Sequence, residues 1–417
     1  MKILYINQSD IDGGAARAAH RVASKLIEMD VDLKMQVMRK LGKDEWVVGP
    51  LNILQIVASR LLPRLDLIAK RIMGVHRHCS WSLNLFPNPF LSKSFANSFD
   101  VIHLHWVGKN MLPVSWVRNF NKPVVWTLHD GWAFTGGCHY PTECRRFEQS
   151  CGNCPQLSRN DSADISHKIW SKKSLVYSGA PLHFVAPSHW IADEARASSL
   201  LSGFPVTVIP NGLDTSIFTP LGKLKSREIL NLPSDKIIIL FGAMYADTDN
   251  RKGMDLLIDA LNILVKTDAD FAQQNLLVVF GTDNELLTEM FPLPVVCLGM
   301  IKDERRLAQI YSAADLTVVP SRMESFGQVA SESLSCGTPV VAFNTSGLKD
   351  IVSHLETGYL ANDFHTDDLA SGIKLIAEDP EVCRKMSSAA RQRAIERFDI
   401  NVTARMHLDL FERLSVA

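Results

Sequence analysis

The chain has 417 residues, of which 46% are hydrophobic and 21% charged. That composition excludes a disordered or fibrous chain and predicts two or three domains at roughly 100 to 200 residues each. With 44 Lys and Arg against 45 Asp and Glu, the formal charge is −1, which argues against a general electrostatic grip on nucleic acid. No window offers the ~20 uninterrupted apolar residues that span a bilayer, and residues 1–7 read as a first buried strand rather than a signal peptide. A cytoplasmic protein is expected.

Residues 3–7 form the first apolar run. Gly13-Gly14 and a helix with Ala15, Ala19, Val22 and Leu26 on one face follow it. Between Leu51 and His78, Arg60, Arg64, Lys70, Arg71 and Arg77 face a single acid, Asp66, and alternate with Ile53, Leu54, Val57, Leu61, Leu62, Leu65, Ile68 and Ile72. This basic amphipathic stretch reads either as a headgroup-binding surface for an anionic membrane or as an ordinary helix pair with a basic outer face, and Pro63 should break or kink it. Runs at 101–104, 124–128 and 182–186 complete the strands of a first half. The stretch from Val208 to Pro220, with Pro210, Asn211-Gly212 and a second proline, punctuates the chain as a linker.

A second strand, 237–241, leads through a polar loop to Asn250, Gly253 and a helix carrying Leu257, Ala260, Leu261 and Leu264. Runs at 276–280, 295–298, 316–319 and 340–343 supply its neighbours. The pattern predicts an α/β chain of two Rossmann-like domains facing each other across a cleft, because open parallel sheets take ligands beyond the carboxyl ends of their strands.

The segment from Pro320 to Val341 carries the clearest chemistry. Glu324 falls in a strand-end loop and Glu332 some two turns into a helix that should start near Ser325, Phe326 and Gly327, running on through Gln328. Backbone N–H groups at such a helix start can hold a phosphate, and the two carboxylates can accept from ribose and sugar hydroxyls. Carboxylates eight residues apart are also common on solvated helices. Four further segments accompany them: Gly13-Gly14-Ala15-Ala16, Pro210-Asn211-Gly212-Leu213-Asp214, Arg251-Lys252-Gly253, and Leu298-Gly299 with Tyr311-Ser312-Ala313-Ala314-Asp315. Together, and in this order, they resemble retaining glycosyltransferase family 4.

The resemblance implies the GT-B fold, with an acceptor-binding domain over 1–212, a nucleotide-sugar-binding domain over 213–398 and a last helix, 399–417, returning to the first domain. It implies a nucleotide-diphosphate sugar donor, a glycan acceptor, and retention of configuration with no metal at the reacting diphosphate. The residues agree in offering no Asp-x-Asp pair placed for such a metal, and Lys252 at a loop-to-helix start to neutralise the leaving diphosphate, with Arg251 beside it. One departure concerns the arginine that many relatives carry some six residues before the lysine, where this chain has Ala246, preceded by Ala243, Met244 and Tyr245. The resemblance further assigns the reacting sugar to Glu324, the ribose to Glu332, and donor-sugar contact to His129, for which a satisfied core histidine is the alternative. At Gly13-Gly14 the lack of a Cβ would let the backbone approach the donor. Proton transfer to a donor phosphate oxygen, in a front-face substitution, needs no protein base.

Cys138, Cys144, Cys151 and Cys154 follow the spacing C-x5-C-x6-C-x2-C. The terminal pair resembles a zinc half-site, and the set reads as a structural zinc site, as free thiols or as disulfides, with His139 as an alternative ligand to Cys138. This cluster, with the lead-in Trp126-Thr127-Leu128-His129-Asp130-Gly131-Trp132, resembles bacterial exopolysaccharide transferases of the colanic-acid type, which implies a lipid-linked acceptor. Two other classes remain at this stage: a nucleotide-sugar epimerase or hydrolase on the same scaffold, and a non-catalytic glycan-binding partner.

Overall fold

The computed structural model describes residues 1–242, 244, 249–284 and 289–416. The chain divides into two compact units, Met1–Gly212 with Thr403–Ala417, and Leu213–Val402.

The first unit is built on a seven-stranded parallel sheet of β1 (Lys2–Ser9), β2 (Asp32–Arg39), β3 (Val47–Val48), β4 (Val101–Leu104), β5 (Val124–Thr127), β6 (Leu182–Ala186) and β7 (Val206–Val208). Their spatial order is β3-β2-β1-β4-β5-β6-β7. The register pairs Ile3 with Leu33 on one side and with Val101 on the other. The central strands are largely apolar because both faces of the sheet are covered, and Ile3, Leu4, Ile6, Ile102, Leu104, Val124 and Phe184 are completely buried. The amphipathic pattern after Gly14 forms α1 (Gly14–Glu28), with Ala16, Ala19, Val22, Ala23 and Leu26 buried.

A second helix, α2 (Ile53–Ile72), runs on through Pro63, so the proline does not end it as its missing N–H predicts. One lost ladder bond is offset where the helix is pinned on either side: Leu62 is buried and its carbonyl accepts from Asn110 Nδ2 at 3.0 Å, while buried Asp66 accepts from the Leu83 amide at 3.0 Å. Leu62 and Asp66 are the two buried side chains of this helix.

The second unit holds a six-stranded parallel sheet of β8 (Ile237–Gly242), β9 (Asn275–Phe280), β10 (Val295–Cys297), β11 (Leu316–Val319), β12 (Val340–Phe343) and β13 (Gly358–Ala361), in the order β10-β9-β8-β11-β12-β13. Two apolar layers, one on each face, cover it. In both sheets the strand order reverses beside the first strand, at β1/β4 and at β8/β11. Such a switch point opens a crevice at the carboxyl ends of the two strands. The strands β2, β3, β7 and β13 carry weaker apolar signals than their neighbours, because they are edge or near-edge strands with partly or fully exposed positions.

Candidate functional site

In the second unit the loops after β8 and β11 meet. Asp249 caps a single 3-10 turn, Asn250–Lys252, and Gly253 follows with φ +68°. A Cβ at Gly253 would sit 1.9 Å from the Pro320 carbonyl oxygen, so glycine is required both for the turn and for the approach of the two loops. The Arg322 amide donates to the Arg251 carbonyl at 2.7 Å, and the Arg322 guanidinium pairs with Asp255. These contacts hold residues 251–252 against residues 320–324.

Lys252 Nζ thereby donates to Glu324 Oε1 at 2.6 Å, and Ser321 Oγ donates to the same oxygen at 3.0 Å. Burial alone would raise the Glu324 carboxyl. The Lys252 and Arg251 cations and the two hydrogen bonds outweigh it and hold the group below its ordinary value. Arg251 is also paired with Asp249, which leaves Lys252 as the cation directed at Glu324. Ser321 was not anticipated as part of this group; its position three residues before Glu324 was the available signal.

The next helix, Gln328–Ser335, starts at Gln328 with left-handed Gly327 (φ +114°) as its N-cap. It begins later than the sequence pattern predicts, and Glu332 lies little more than one turn in. Glu332 is 5% exposed and accepts from the buried Tyr311 hydroxyl at 3.0 Å. The Phe326 ring is 4% exposed and packs edge-on against Phe398 at 5.6 Å. Its side chain therefore belongs to the core, and what it offers a ligand is backbone. Ser325 is also buried, whereas Gln328 is partly exposed. Of the segment before the lysine, Ala243, Tyr245 and Ala246 lie outside the described residues.

In the first unit Gly13 precedes α1 with φ +91°, and a Cβ built on it meets nothing within 4 Å. The need for glycine there is conformational, and within the unit itself no space is short. Buried Asp10 braces this loop by accepting from the amides of Leu41 and Gly42 at 2.9 and 2.7 Å.

His129 follows β5. Its Nε2 lies 3.0 Å from His105 Nδ1, and burial pushes it down to about 4 against the pull of neighbouring Asp130. Both histidines line a pocket of about 250 Å³ with Trp106, Asp130, Trp132 and His139. Asp130 is shared by His139 Nδ1 at 2.6 Å and Trp106 Nε1 at 2.7 Å. Burial would raise this carboxyl, and the charge and hydrogen bond of His139 with the Trp132 and Trp106 donors lower it overall. His105, Trp106 and Asp130 are the pocket residues that sequence reasoning missed. The His103-Leu104-His105 alternation at the end of β4 was the one signal pointing to them.

The four clustered thiols line one cavity of about 270 Å³ with Trp81, Phe147 and Ser166. All are unoxidised, and burial pushes Cys151 up to about 11 and Cys154 up to about 12. Among the described residues, the one group of three ligating side chains whose donor atoms all lie within 4.8 Å of one another is His76, His78 and Cys79, so the four thiols as placed stand further apart than the sulfurs of a closed site with zinc–sulfur bonds of about 2.3 Å. The ring nitrogens of His139 are engaged by Asp130 and by Ser82 Oγ at 2.9 Å. The cavity is braced by Lys173, fully buried and pushed down to about 7 by that burial, which donates to the carbonyls of Trp132 and Thr135.

Comparison with known proteins follows the same division of the chain. Residues 12–217 match the family described as Glycosyltransferase Family 4, and residues 222–393 match Glycosyl transferases group 1. D-inositol 3-phosphate glycosyltransferase of Jonesia denitrificans is 28% identical over 76% of this chain and 73% of its own. The protein of the same name from Nocardiopsis dassonvillei is 32% identical over 71% and 66%. The chain spans about half the length of three further relatives of that name. Among solved structures, sucrose-phosphate synthase of Thermosynechococcus elongatus superposes with a TM-score of 0.71 at 19% identity, covering 99% of both chains. Anabaena HepE in complex with UDP-glucose gives 0.65 at 18%, covering 99% of this chain and 100% of that one.

Proposed function

Because this chain belongs to the GT-B glycosyltransferases, with a family 4-like first domain and a group 1-like second domain, we propose that it passes a sugar, with retention, from a nucleotide-diphosphate donor to a lipid-linked glycan in bacterial polysaccharide assembly. The observation that carries the reading is the Lys252–Glu324 pair at the β8/β11 switch point. A diphosphate entering there takes the Lys252 charge, and Glu324, released from the ammonium, accepts from the hydroxyls of the donor sugar. Lys252 then offsets the charge that grows on the leaving group as the glycosidic bond opens. Because Lys252 and Arg251 supply that positive charge from the protein, the proposed transfer step uses no divalent cation at the diphosphate.

The acceptor hydroxyl attacks from the same face, and its proton passes to a phosphate oxygen of the departing group, so no protein base is assigned. Tyr311 fixes the Glu332 carboxylate for the ribose hydroxyls. Gly13, Gly14 and the backbone of residues 325–328 are assigned to the phosphates, and His129 to the donor sugar.

The lipid-linked acceptor is supported by α2. No helix of the described residues is long and apolar enough to cross a membrane, yet Ile53, Leu54, Ile68 and Ile72 are 80, 67, 51 and 72% exposed beside exposed Arg60, Arg64 and Arg71. Apolar side chains inserted among headgroups with arginines on anionic phosphates are what an interfacial helix presents, and they support the reading that the enzyme works at the inner face of the membrane.

Calorimetry against UDP, GDP, ADP and TDP and their sugars, repeated with Lys252→Ala, tests the donor site. One selective nucleotide whose binding is lost in the variant supports it, and no binding by any nucleotide overturns it. Donor consumption that needs no acceptor would replace transfer by hydrolysis or epimerisation. Efficient transfer to soluble inositol 3-phosphate would replace the lipid-linked acceptor with that of the named relatives. Flotation with anionic liposomes, lost on charge reversal at Arg60, Arg64 and Arg71, is the expected membrane result; equal flotation of both forms refutes it.

A further inference from the structure

Where the chain leaves α2, three side chains of different residues turn toward one point. The donor atoms of His76, His78 and Cys79 all lie within 4.8 Å of one another. We propose that these three residues form a binding site for a zinc-type divalent cation, with water in the remaining position. The site is separate from the four-thiol cavity and independent of the transfer reaction.

The donor set decides the class of ion. Two imidazole nitrogens and one thiolate suit a borderline cation such as zinc or cobalt, and they offer none of the oxygen ligands that magnesium and calcium require. Bonds of about 2.0 Å to nitrogen and 2.3 Å to sulfur place tetrahedral ligand atoms about 3.5 Å apart, so donor atoms within 4.8 Å of one another have about an ångström to close.

The donors are also uncommitted. Among the described residues the three side chains make no hydrogen bond or ion pair with another protein group, and the two imidazoles stand against each other at 5.7 Å between ring centres. The buried His139 imidazole is fully engaged by comparison.

The backbone beneath them is already fixed. The Cys79 amide donates to the His76 carbonyl at 3.1 Å, closing the turn, and the His76 amide donates to the Gln156 carbonyl at 3.0 Å. Antiparallel bridges Val75–Leu157 and Trp81–Cys138 flank the turn on both sides. Trp81 Nε1 donates to Gln156 Oε1 at 2.7 Å, and Lys70 Nζ donates to the Trp81 carbonyl at 2.9 Å. A site held this way loses little backbone entropy on binding.

His78 is exposed while His76 and Cys79 are half-buried, which leaves one side of the ion to solvent. Cys79 enters as a thiol, gives its proton to solvent and bonds the metal as thiolate. The ion then ties the 76–79 turn together, and through Trp81 and Lys70 it steadies the end of α2 on the cysteine module.

The test uses the full chain, reduced and stripped with a chelator, titrated with cobalt(II) and back-titrated with zinc(II). Binding with tetrahedral cobalt absorption and a thiolate-to-cobalt charge-transfer band is expected, with zinc displacing it. Cys79→Ser should abolish that band. His78→Ala, a change at an exposed position that leaves the fold intact, should weaken binding at least about 10-fold. The double variant Cys144→Ser, Cys151→Ser should leave the titration unchanged. The proposal is overturned if folded wild-type protein binds no cobalt. It is overturned equally if binding survives His78→Ala and Cys79→Ser unchanged but disappears with Cys144 and Cys151.

Discussion

Replacing Lys252 by alanine removes the cation that faces Glu324 Oε1 at 2.6 Å. In the proposed reaction that cation meets the leaving diphosphate instead, and one electrostatic contact to developing charge is worth about 3 kcal/mol. The expected loss is about 3 kcal/mol in the transition state, or roughly 150-fold in kcat/KM. The loss should fall mainly on kcat, because the interaction grows as the bond to the diphosphate breaks. Lys252→Arg keeps the charge with a different reach and should fall between the two. The stability cost is separate: with side chains 21 and 18% exposed, the pair is partly solvated, and its loss should cost only about 1 kcal/mol. Initial-rate kinetics on the nucleotide sugar identified by calorimetry, beside a thermal melt of each variant, makes the separation. A Lys252→Ala enzyme within threefold of wild type at an unchanged melting point refutes the role given to this charge.

Gly253→Ala puts a Cβ 1.9 Å from the Pro320 oxygen at φ +68°, so it should destabilise the second unit by more than about 2 kcal/mol and separate Lys252 from Glu324. Denaturant unfolding with a midpoint equal to wild type would contradict that geometry. Acidification should destabilise the first unit: burial pushes His129 down to about 4 and His407 to about 3, so between about pH 6.5 and these values the unfolded chain binds protons that the folded one refuses. Stability is therefore fully present above about pH 6.5 and declines as the pH falls. His129 alone accounts for up to about 3 kcal/mol by pH 4, and His129→Gln should flatten the decline. Urea midpoints that stay level from pH 7 to pH 4.5 would exclude it.

Strand content was legible because buried parallel strands are short apolar runs, as at residues 101–104, 316–319 and 340–343, and because glycine after an apolar strand announces a loop. Glu324, Lys252 and His129 each fall between a strand and the next helix, but it was the resemblance to retaining glycosyltransferase family 4 that singled them out. Edge strands such as β3 and β7, two and three residues long, carry too little pattern to be read. Side-chain direction was out of reach as well: Phe326 turns into the core, His139 gives its nitrogens to Asp130 and Ser82, and the four thiols line one cavity.

The sequence by itself determined the two Rossmann-like halves, their punctuation near Gly212 and the residue types available for phosphate and sugar, since these follow from local periodicity and backbone restriction. Only the tertiary structure decided that Lys252 and Glu324, 72 residues apart, share a hydrogen bond, and that the turn carrying His76, His78 and Cys79 is bridged to Gln156, Leu157 and Cys138 of the cysteine module. Both depend on which strands and loops become neighbours. That choice is made by crossover connections and by the packing of the whole sheet, and no local run of residues encodes it.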